Sequence, residues 1–358
     1  MAITFERATA FHQEVKARVA EYFATTGARP RDLARMYLKT VVIALWVALS
    51  YYLLVFAADT WWKVAGAAFS LALAVAGVGF NVMHDGAHGG YTESKVIGRA
   101  MAFALDIIGG SSYFWRWKHN VLHHTYPNIS GADDDIDVGP LARLAPQQRW
   151  FAFHRFQHLY MWPLYGLVPL KWQVLDDFKE FIEGRVGTRD VPRPKGLELA
   201  LFVIGKVIFF TLAIGIPLLL HPWWTVLLVY AGVTFTMGIV LGVTFQLAHC
   251  IGEAEFPSPS PDTLKMAAEW AVHQVHTTVD FARRSRLLTV YLGGLNYQIE
   301  HHLFPHICHL HYPKLAPIVE DVCRRFGVRY QAHPNLWSAL TSHYRWLRTM
   351  GRPESEPA

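Results

Sequence analysis

Four stretches of nearly unbroken apolar residues, at 40–58, 64–83, 199–220 and 223–248, stand out from an otherwise mixed chain. Each is long enough to cross a hydrocarbon core of roughly 30 Å as a helix, which takes about 20 residues. The only full charge inside any of them is Lys206, near the start of the third, where its apolar stem would let the amine reach back to the interface. The first and second stretches are joined only by residues 59–63, and the third and fourth only by His221 and Pro222. Two helical hairpins follow, with both turns on one side of the membrane and the N-terminal, middle and C-terminal polar segments on the other. The expected fold class is an all-α integral membrane protein with a helical cap built from those polar segments.

We expect one domain over residues 1–358. It comprises a polar segment 1–39, a first hairpin 40–83, a polar and interfacial middle 84–198, a second hairpin 199–248 and a C-terminal part 249–358. Two shorter apolar stretches suit helices in the interface or packed on the cap: 101–110, broken by Asp106, and 150–170, which mixes aromatic residues with His154, Arg155 and His158. Outside these, only a Pro/Ser patch at 257–261 and a polar tail at 353–358 depart from ordinary composition.

Composition agrees with lipid as the solvent. Hydrophobic residues make up 52% of the chain and charged residues 17%, against about 25% charged in soluble domains. Arg29, Arg31, Arg35 and Lys39 precede the first span, Arg193 and Lys195 the third, and Arg283, Arg284 and Arg286 follow the fourth, whereas the short turns carry only Lys63. The positive-inside rule therefore places the polar segments in the cytosol. The net charge of +5 is explained by anionic lipid headgroups and calls for no nucleic acid. The N-terminus, with Glu6, Arg7, Glu14, Lys16 and Arg18, lacks the apolar core of a secretory signal, so no cleavage is expected. Cys250, Cys308 and Cys323 lack zinc-like or redox-pair spacing and read as reduced structural thiols.

The nineteen histidines carry the chemistry. The second span runs into His84-Asp85-Gly86-Ala87-His88, whose imidazoles, four apart, share one helix face and can reach one metal. His119-Asn120-Val121-Leu122-His123-His124 repeats that step and adds a neighbour rotated around the helix, a pair able to serve two metals. Gln298-Ile299-Glu300-His301-His302 ends in a similar adjacent pair, and His249 closes the fourth span. The hairpin topology brings all of these to one membrane side. Imidazole donors favour iron, zinc, copper or nickel, and these groups contain no thiolate and little carboxylate.

With those three groups the sequence resembles the membrane fatty-acid desaturases, whose three histidine boxes are matched by HDGAH, HNVLHH and QIEHH. The stretch Leu295-Asn296-Tyr297-Gln298-Ile299-Glu300-His301-His302-Leu303-Phe304-Pro305 is similar to the front-end, linoleoyl-CoA desaturase-like branch, in which glutamine replaces the first histidine of the third box. The resemblance implies a non-haem centre of two iron ions in the cap, which uses O2 and two electrons to remove two hydrogens from a long-chain acyl group. Its implied metal ligands are His84, His88, His119, His123, His124, His249, His301 and His302, with Gln298 a ligand or a neighbour of one, and no catalytic residue beyond them. Front-end enzymes often carry a fused haem domain marked by His-Pro-Gly-Gly, which these residues lack. The expected electron donor is thus a separate ferredoxin or small cytochrome with its reductase, docking by charge complementarity. Related membrane oxidases with such boxes form alcohols, acetylenic bonds or oxidised carotenoids. A haem carrier would instead need opposed histidines within the membrane.

Other residues are candidates for supporting roles. Asp133, Asp135 and Asp137 follow the second box and can accept hydrogen bonds from metal-bound imidazoles. Arg116 and Lys118 can hold the phosphate of an acyl carrier or lipid headgroup. His273, Gln274, His276, Thr277 and Asp280 lie where the family has a similar Gln-x-x-Thr-x-x-Phe-Ala run lining the site, which makes His273 and His276 candidates to bind metal or support its ligands. His306, His309 and His311 keep no common helix face, and Pro305 and Pro313 break their segment, so they read as structural or as supports behind the metal ligands.

Overall fold

The computed structural model describes residues 3–353; of the polar tail only Pro353 lies within them. The chain is mostly helical. Among the described residues four helices are long and apolar enough to cross a membrane: Ala34–Ala57, Trp61–His88, Leu197–Leu218 and Trp223–His249. Two compact units emerge, residues 32–117 with 162–243, and residues 1–31 with 118–161 and 244–358.

The first unit holds three of the long helices whole. Only 22% of the apolar window is buried in the first and third, against 56% in Trp61–His88. Such large apolar residues as Leu38, Leu45, Leu49, Val203 and Val207 stand exposed, which is stable only where the surroundings are hydrocarbon. Exposed Trp61 and Trp62 open the second long helix and Trp223 and Trp224 the fourth, placing indoles at the level where a headgroup region meets the hydrocarbon.

Polar groups in this unit pair internally, as a medium without water requires. The Trp46 indole donates to Ser70 Oγ at 2.9 Å, and Ser50 and Ser70 share a hydrogen bond of 2.8 Å. Tyr51 donates to the carbonyl of Leu212 at 2.8 Å. Small residues let backbones close: a Cβ on Gly205 would lie 2.5 Å from that of Asp106, and one on Gly238 only 2.6 Å from the Tyr165 carbonyl. The apolar stretches around Asp106 and Tyr165 thus pack onto the third and fourth long helices, with Leu105 and Asp106 buried.

Lys206 corrects the sequence expectation. Its amine does not reach back to an interface; it is 6% exposed. It donates to Asp177 Oδ2 at 2.6 Å and to the Gly109 carbonyl at 2.7 Å, between the rings of Phe178 and Phe202. Residues 29 positions away, on a helix not counted as a span, supply the counter-charge, and the pattern of apolar runs cannot show that.

The second unit is built on amphipathic helices. Phe11, Val15 and Val19 on Ala10–Thr26, spaced by four, face Leu315, Val319 and Val322 on Tyr312–Phe326, since residues three and four apart share a helix face. Ala271, Val275, Ile299, Leu303 and Phe304 complete this core. Each large side chain so buried stabilises by about 1.5–3 kcal/mol. Both outer helices end on glycines at positive φ, Gly27 at 62° and Gly327 at 68°, a conformation glycine adopts without strain.

The all-α expectation overlooks short ribbons. Thr4–Glu6 pairs in parallel with Lys265–Glu269, and Asp280–Phe281 with Ala332–His333, while Arg185–Val186 and Arg189–Asp190 form an antiparallel turn in the first unit. The parallel pairs join segments far apart in sequence, which leaves no local signature.

Cutting Lys206 to alanine removes the buried counter-charge of Asp177 and is expected to cost about 3–5 kcal/mol. The double change Lys206→Met with Asp177→Leu is expected to be much milder. Melting curves in detergent compare the two, and an unchanged melting temperature for Lys206→Ala would contradict the buried pair.

Candidate metal centre

In the second unit, six imidazoles from three separate segments meet in the interior. His119, His123, His124, His249, His301 and His302 are all buried. Ring centroids lie 4.6 Å apart for His123 and His249, 4.3 Å for His124 and His302, and 4.6 Å for His124 and His301. The nitrogens of His123, His249 and His302 lie within 4.8 Å of one another, as do those of His124, His301 and His302. Two triads therefore share His302.

The second box does not sit on an ordinary α-helix. Residues Arg116–His123 form a wide π turn, in which the His124 amide donates to the His119 carbonyl five residues back at 3.0 Å. Extra width changes which histidines lie above one another: His119 and His123 rings stack at 5.1 Å and 20°. Such turns concentrate at functional sites.

Acceptors behind the rings fix their tautomers. Both carboxylate oxygens of Asp133 lie 3.1 Å from His123 Nδ1, and Asp135 Oδ2 lies 3.3 Å from His119 Nδ1. Gln274 Oε1 sits 2.8 Å from His302 Nδ1. With Nδ1–H donating, Nε2 keeps its lone pair for a metal. Burial disfavours charge on His123, but Asp133 and Asp135 outweigh it, leaving its proton affinity above the ordinary value. Asp133 is itself held, accepting from the amides of Asn128 at 2.8 Å and Asp135 at 3.0 Å.

Asn128, which the sequence did not single out, ties the site together. At φ 58°, a left-handed conformation that asparagine tolerates, its side-chain nitrogen donates to the carbonyls of His249, Glu255 and Thr277 at 3.0, 3.0 and 3.2 Å. Nothing short-range marks it, because all three acceptors are more than 120 residues downstream.

The third box occupies helix Gln298–Leu303. Its first turn is anchored by Asp280, whose Oδ1 accepts from the Ile299 amide at 3.1 Å. Tyr330 Oη lies 2.6 Å from Asp280 and 2.9 Å from Glu300. A hydroxyl has one proton, so one of the two contacts requires a proton on a carboxyl. Burial supplies it, pushing Glu300 up and Asp280 up to about 6. Arg283 closes the network, donating to Glu320 at 3.0 Å.

Several sequence candidates fall elsewhere. Asp137 is exposed and accepts from Gly139 within its own turn, so it supports no imidazole. His273 lies 3.0 Å from the Pro127 carbonyl and His276 lies 3.4 Å from Glu255; neither joins the triads. Lys118 faces Asp135 at 4.0 Å, so its charge is directed at a carboxylate. His311 bonds the Arg29 carbonyl at 2.9 Å, a structural contact. Arg116 is exposed, with its guanidinium over Tyr113 in the first unit.

The first box, also in the first unit, has His84 and His88 centroids 4.7 Å apart, with the Trp115 ring 5.8 and 5.6 Å away. Its glycine has a packing reason. A Cβ on Gly86 would sit 2.7 Å from Met101 Cβ and 2.8 Å from the Ala102 amide, so any side chain there forces apart the helices His84–His88 and Lys95–Ala102.

The donor set fits a transition metal. Neither ring nitrogen of His249 nor either amide atom of Gln298 meets a hydrogen-bond partner at good geometry, although both side chains are buried. Burying polar atoms this way is costly unless something else satisfies them, and imidazole nitrogens satisfy iron, zinc or copper.

Two measurements probe this geometry. Asp133→Asn keeps the shape and removes the charge, and is expected to weaken metal retention about 10- to 100-fold in a chelator titration. His343, with Nδ1 2.7 Å from the Cys250 carbonyl, is pushed down to about 4 by burial from the ordinary 6.5. Below 6.5 the unfolded chain takes a proton there that the folded chain refuses. The stability from neutral His343 is therefore full above 6.5 and lost as pH falls toward 4. His343→Asn, whose amide replaces Nδ1–H, is expected to flatten the fall in melting temperature across that window.

Comparison with known proteins gives one answer. The fatty acid desaturase family profile matches residues 59–334. Over 99% of its length the chain is 39% identical to a sn-1 linoleoyl-lipid 6-desaturase of Arthrospira platensis, covering 96% of that protein. It is 38% identical to a protein of the same description from Synechocystis sp., with 98% of each chain covered. An acyl-lipid (8-3)-desaturase of Physcomitrium patens is 37% identical over 96% of this chain and 72% of its own. Relatives alike almost end to end, and a family match over most of the sequence, place this chain in the fatty acid desaturase family as an oxidoreductase that desaturates fatty acyl groups.

Proposed function

We propose that the chain is a single-domain, oxygen-dependent front-end desaturase of long-chain acyl lipids, with linoleoyl-type chains as substrates. The observation that carries the site is the pair of buried imidazole triads sharing His302. The names of the cyanobacterial relatives support the substrate class.

Two irons would be held by His84, His88, His119, His123, His124, His249, His301 and His302, with Gln298 beside them. In this reading the long helices pair as two hairpins, and the cap that carries the irons faces the cytosol, as the basic residues flanking the spans favour. When bound, the irons supply the oxidant that takes two hydrogens from the acyl chain, with O2 leaving as two waters after uptake of two electrons and two protons.

The chain's own residues then have definite tasks. Asp133, Asp135 and Gln274 hold the Nδ1 protons and so aim Nε2. Asn128 fixes the backbone that carries His249 relative to the second-box loop. Burial of the cluster excludes water from a reaction whose oxidant would attack other bonds. The two electrons come from a separate carrier protein, a ferredoxin or small cytochrome.

Expression in a host supplied with a ferredoxin system tests the reading. The wild type is expected to purify with about two irons per chain and to produce a new unsaturated fatty acid. His302→Ala, which breaks both triads, is expected to lose the product and most of the iron. Iron-loaded protein that leaves the host's lipids unchanged, with the ferredoxin present, would contradict desaturation.

A further inference from the structure

A buried metal cluster needs a route for electrons, and the side chains bonded to the histidines, at ring or backbone, differ in where they lead. Asp133 and Gln274 behind His123 and His302 are buried, and so is Tyr312, 3.4 Å from His301 Nδ1. Asp135, beside His119, reaches the surface, but among Asp134 and Asp137, an acidic neighbourhood. Trp270 approaches through the backbone instead: its indole N–H donates to the main-chain carbonyl of His124 at 3.4 Å, while its ring stays half-buried at the start of helix Trp270–Thr277.

The positive charge near Trp270 comes from Lys16 and Arg31, with the imidazoles of His12 and His306 shifted toward their neutral forms. His12 lies against the indole with centroids 5.6 Å apart. One helical turn on, Lys16 is exposed; burial, and after it the charge of Lys16, lowers the proton affinity of His12, and burial followed by Arg31 and Lys16 lowers that of accessible His306. The chain before Arg31 is fastened to this region, the Cys308 amide donating to the Pro30 carbonyl at 2.9 Å. The nearby acid, Glu269, is buried and held by the amide and hydroxyl of Thr9.

We propose that the exposed edge of Trp270, framed by His12, Lys16, Arg31 and His306, is the docking point of a separate, acidic one-electron carrier protein that reduces the histidine-held metal centre. The proposal rests on the desaturase reading for its need of electrons. Each docking event oxidises the carrier by one electron and reduces the centre by one. Two events supply the two electrons that, with O2, two protons and the two acyl hydrogens, yield two waters and the double bond.

The charge pattern discriminates among partners, because complementary surfaces dock faster and salt screens them. In this geometry Lys16 contributes to docking and Trp270 to the transfer that follows. Changes at the two positions should therefore separate binding from rate.

The test uses the full chain, iron-loaded in nanodiscs, and a plant-type [2Fe–2S] ferredoxin as the probe. Lys16→Glu is expected to weaken ferredoxin binding about five- to tenfold at low salt, with the difference vanishing at high salt. Lys16→Arg restores wild-type affinity, and metal content and dithionite-driven turnover stay at the wild-type level in both. Trp270→Phe is expected to bind ferredoxin as the wild type does, yet to be reduced severalfold more slowly at saturating ferredoxin when normalised to its dithionite rate. Equal affinity of Lys16→Glu and wild type at low salt overturns the docking site, and an unchanged normalised rate in Trp270→Phe overturns the route. If wild type binds ferredoxin in this salt-sensitive way but forms no desaturated lipid with either reductant, docking stands and the desaturase reading falls.

Discussion

An imidazole can serve a metal only if one ring nitrogen is bare of its proton and correctly aimed, and burial alone secures neither. Here the condition is met from behind. Asp133, Asp135 and Gln274 each take the Nδ1 side of a ring, and the two buried ones are in turn fixed by something rigid. Asp133 is held by the backbone of its own loop, and Gln274 rides on a helix whose Ala271 and Val275 are core residues. The aim of the rings is thus inherited from apolar packing some distance away. The shared ring, His302, leans on a neutral amide, while His119 and His123 lean on carboxylates, so the donors differ in electron density although their chemistry is the same.

The membrane unit obeys the same rule in a medium that offers nothing to a polar group. Serines bond to one another and to an indole, and one lysine finds a carboxylate, a carbonyl and two aromatic faces. Such pairs contribute less to net stability than apolar contacts of similar size would, and they penalise any arrangement that separates them. They act as registration marks between helices whose apolar faces would otherwise fit in several ways.

What the sequence discloses follows the range of the signal. Long apolar runs locate the four long helices within a few residues, and the spacing of histidines identifies three groups, of which the fold gathers the second and third with His249 in the second unit. Features depending on partners far along the chain stay hidden. Lys206 looks like a residue that reaches for water because Asp177 lies outside its span, and Asn128 looks like any asparagine after a proline. Asp133 and Asp137 are indistinguishable in composition; only the turn between them sends one inward and the other out. His273 and His276 share the neighbourhood of the third box but face Pro127 and Glu255. The π turn under the second box is equally silent, since five-residue closure leaves the same letters as four-residue closure.

Asn128 also sets limits on how this protein can be taken apart. One small amide clasps the end of a long helix, the loop after it and the start of the last segment before the third box. A chimaera that exchanges any one of these three segments with a relative inherits a carbonyl placed for another protein's asparagine. Recombination between family members should therefore succeed most often at breakpoints that keep residues 128 to 277 together, which makes this interval, rather than any single histidine box, the natural unit of exchange.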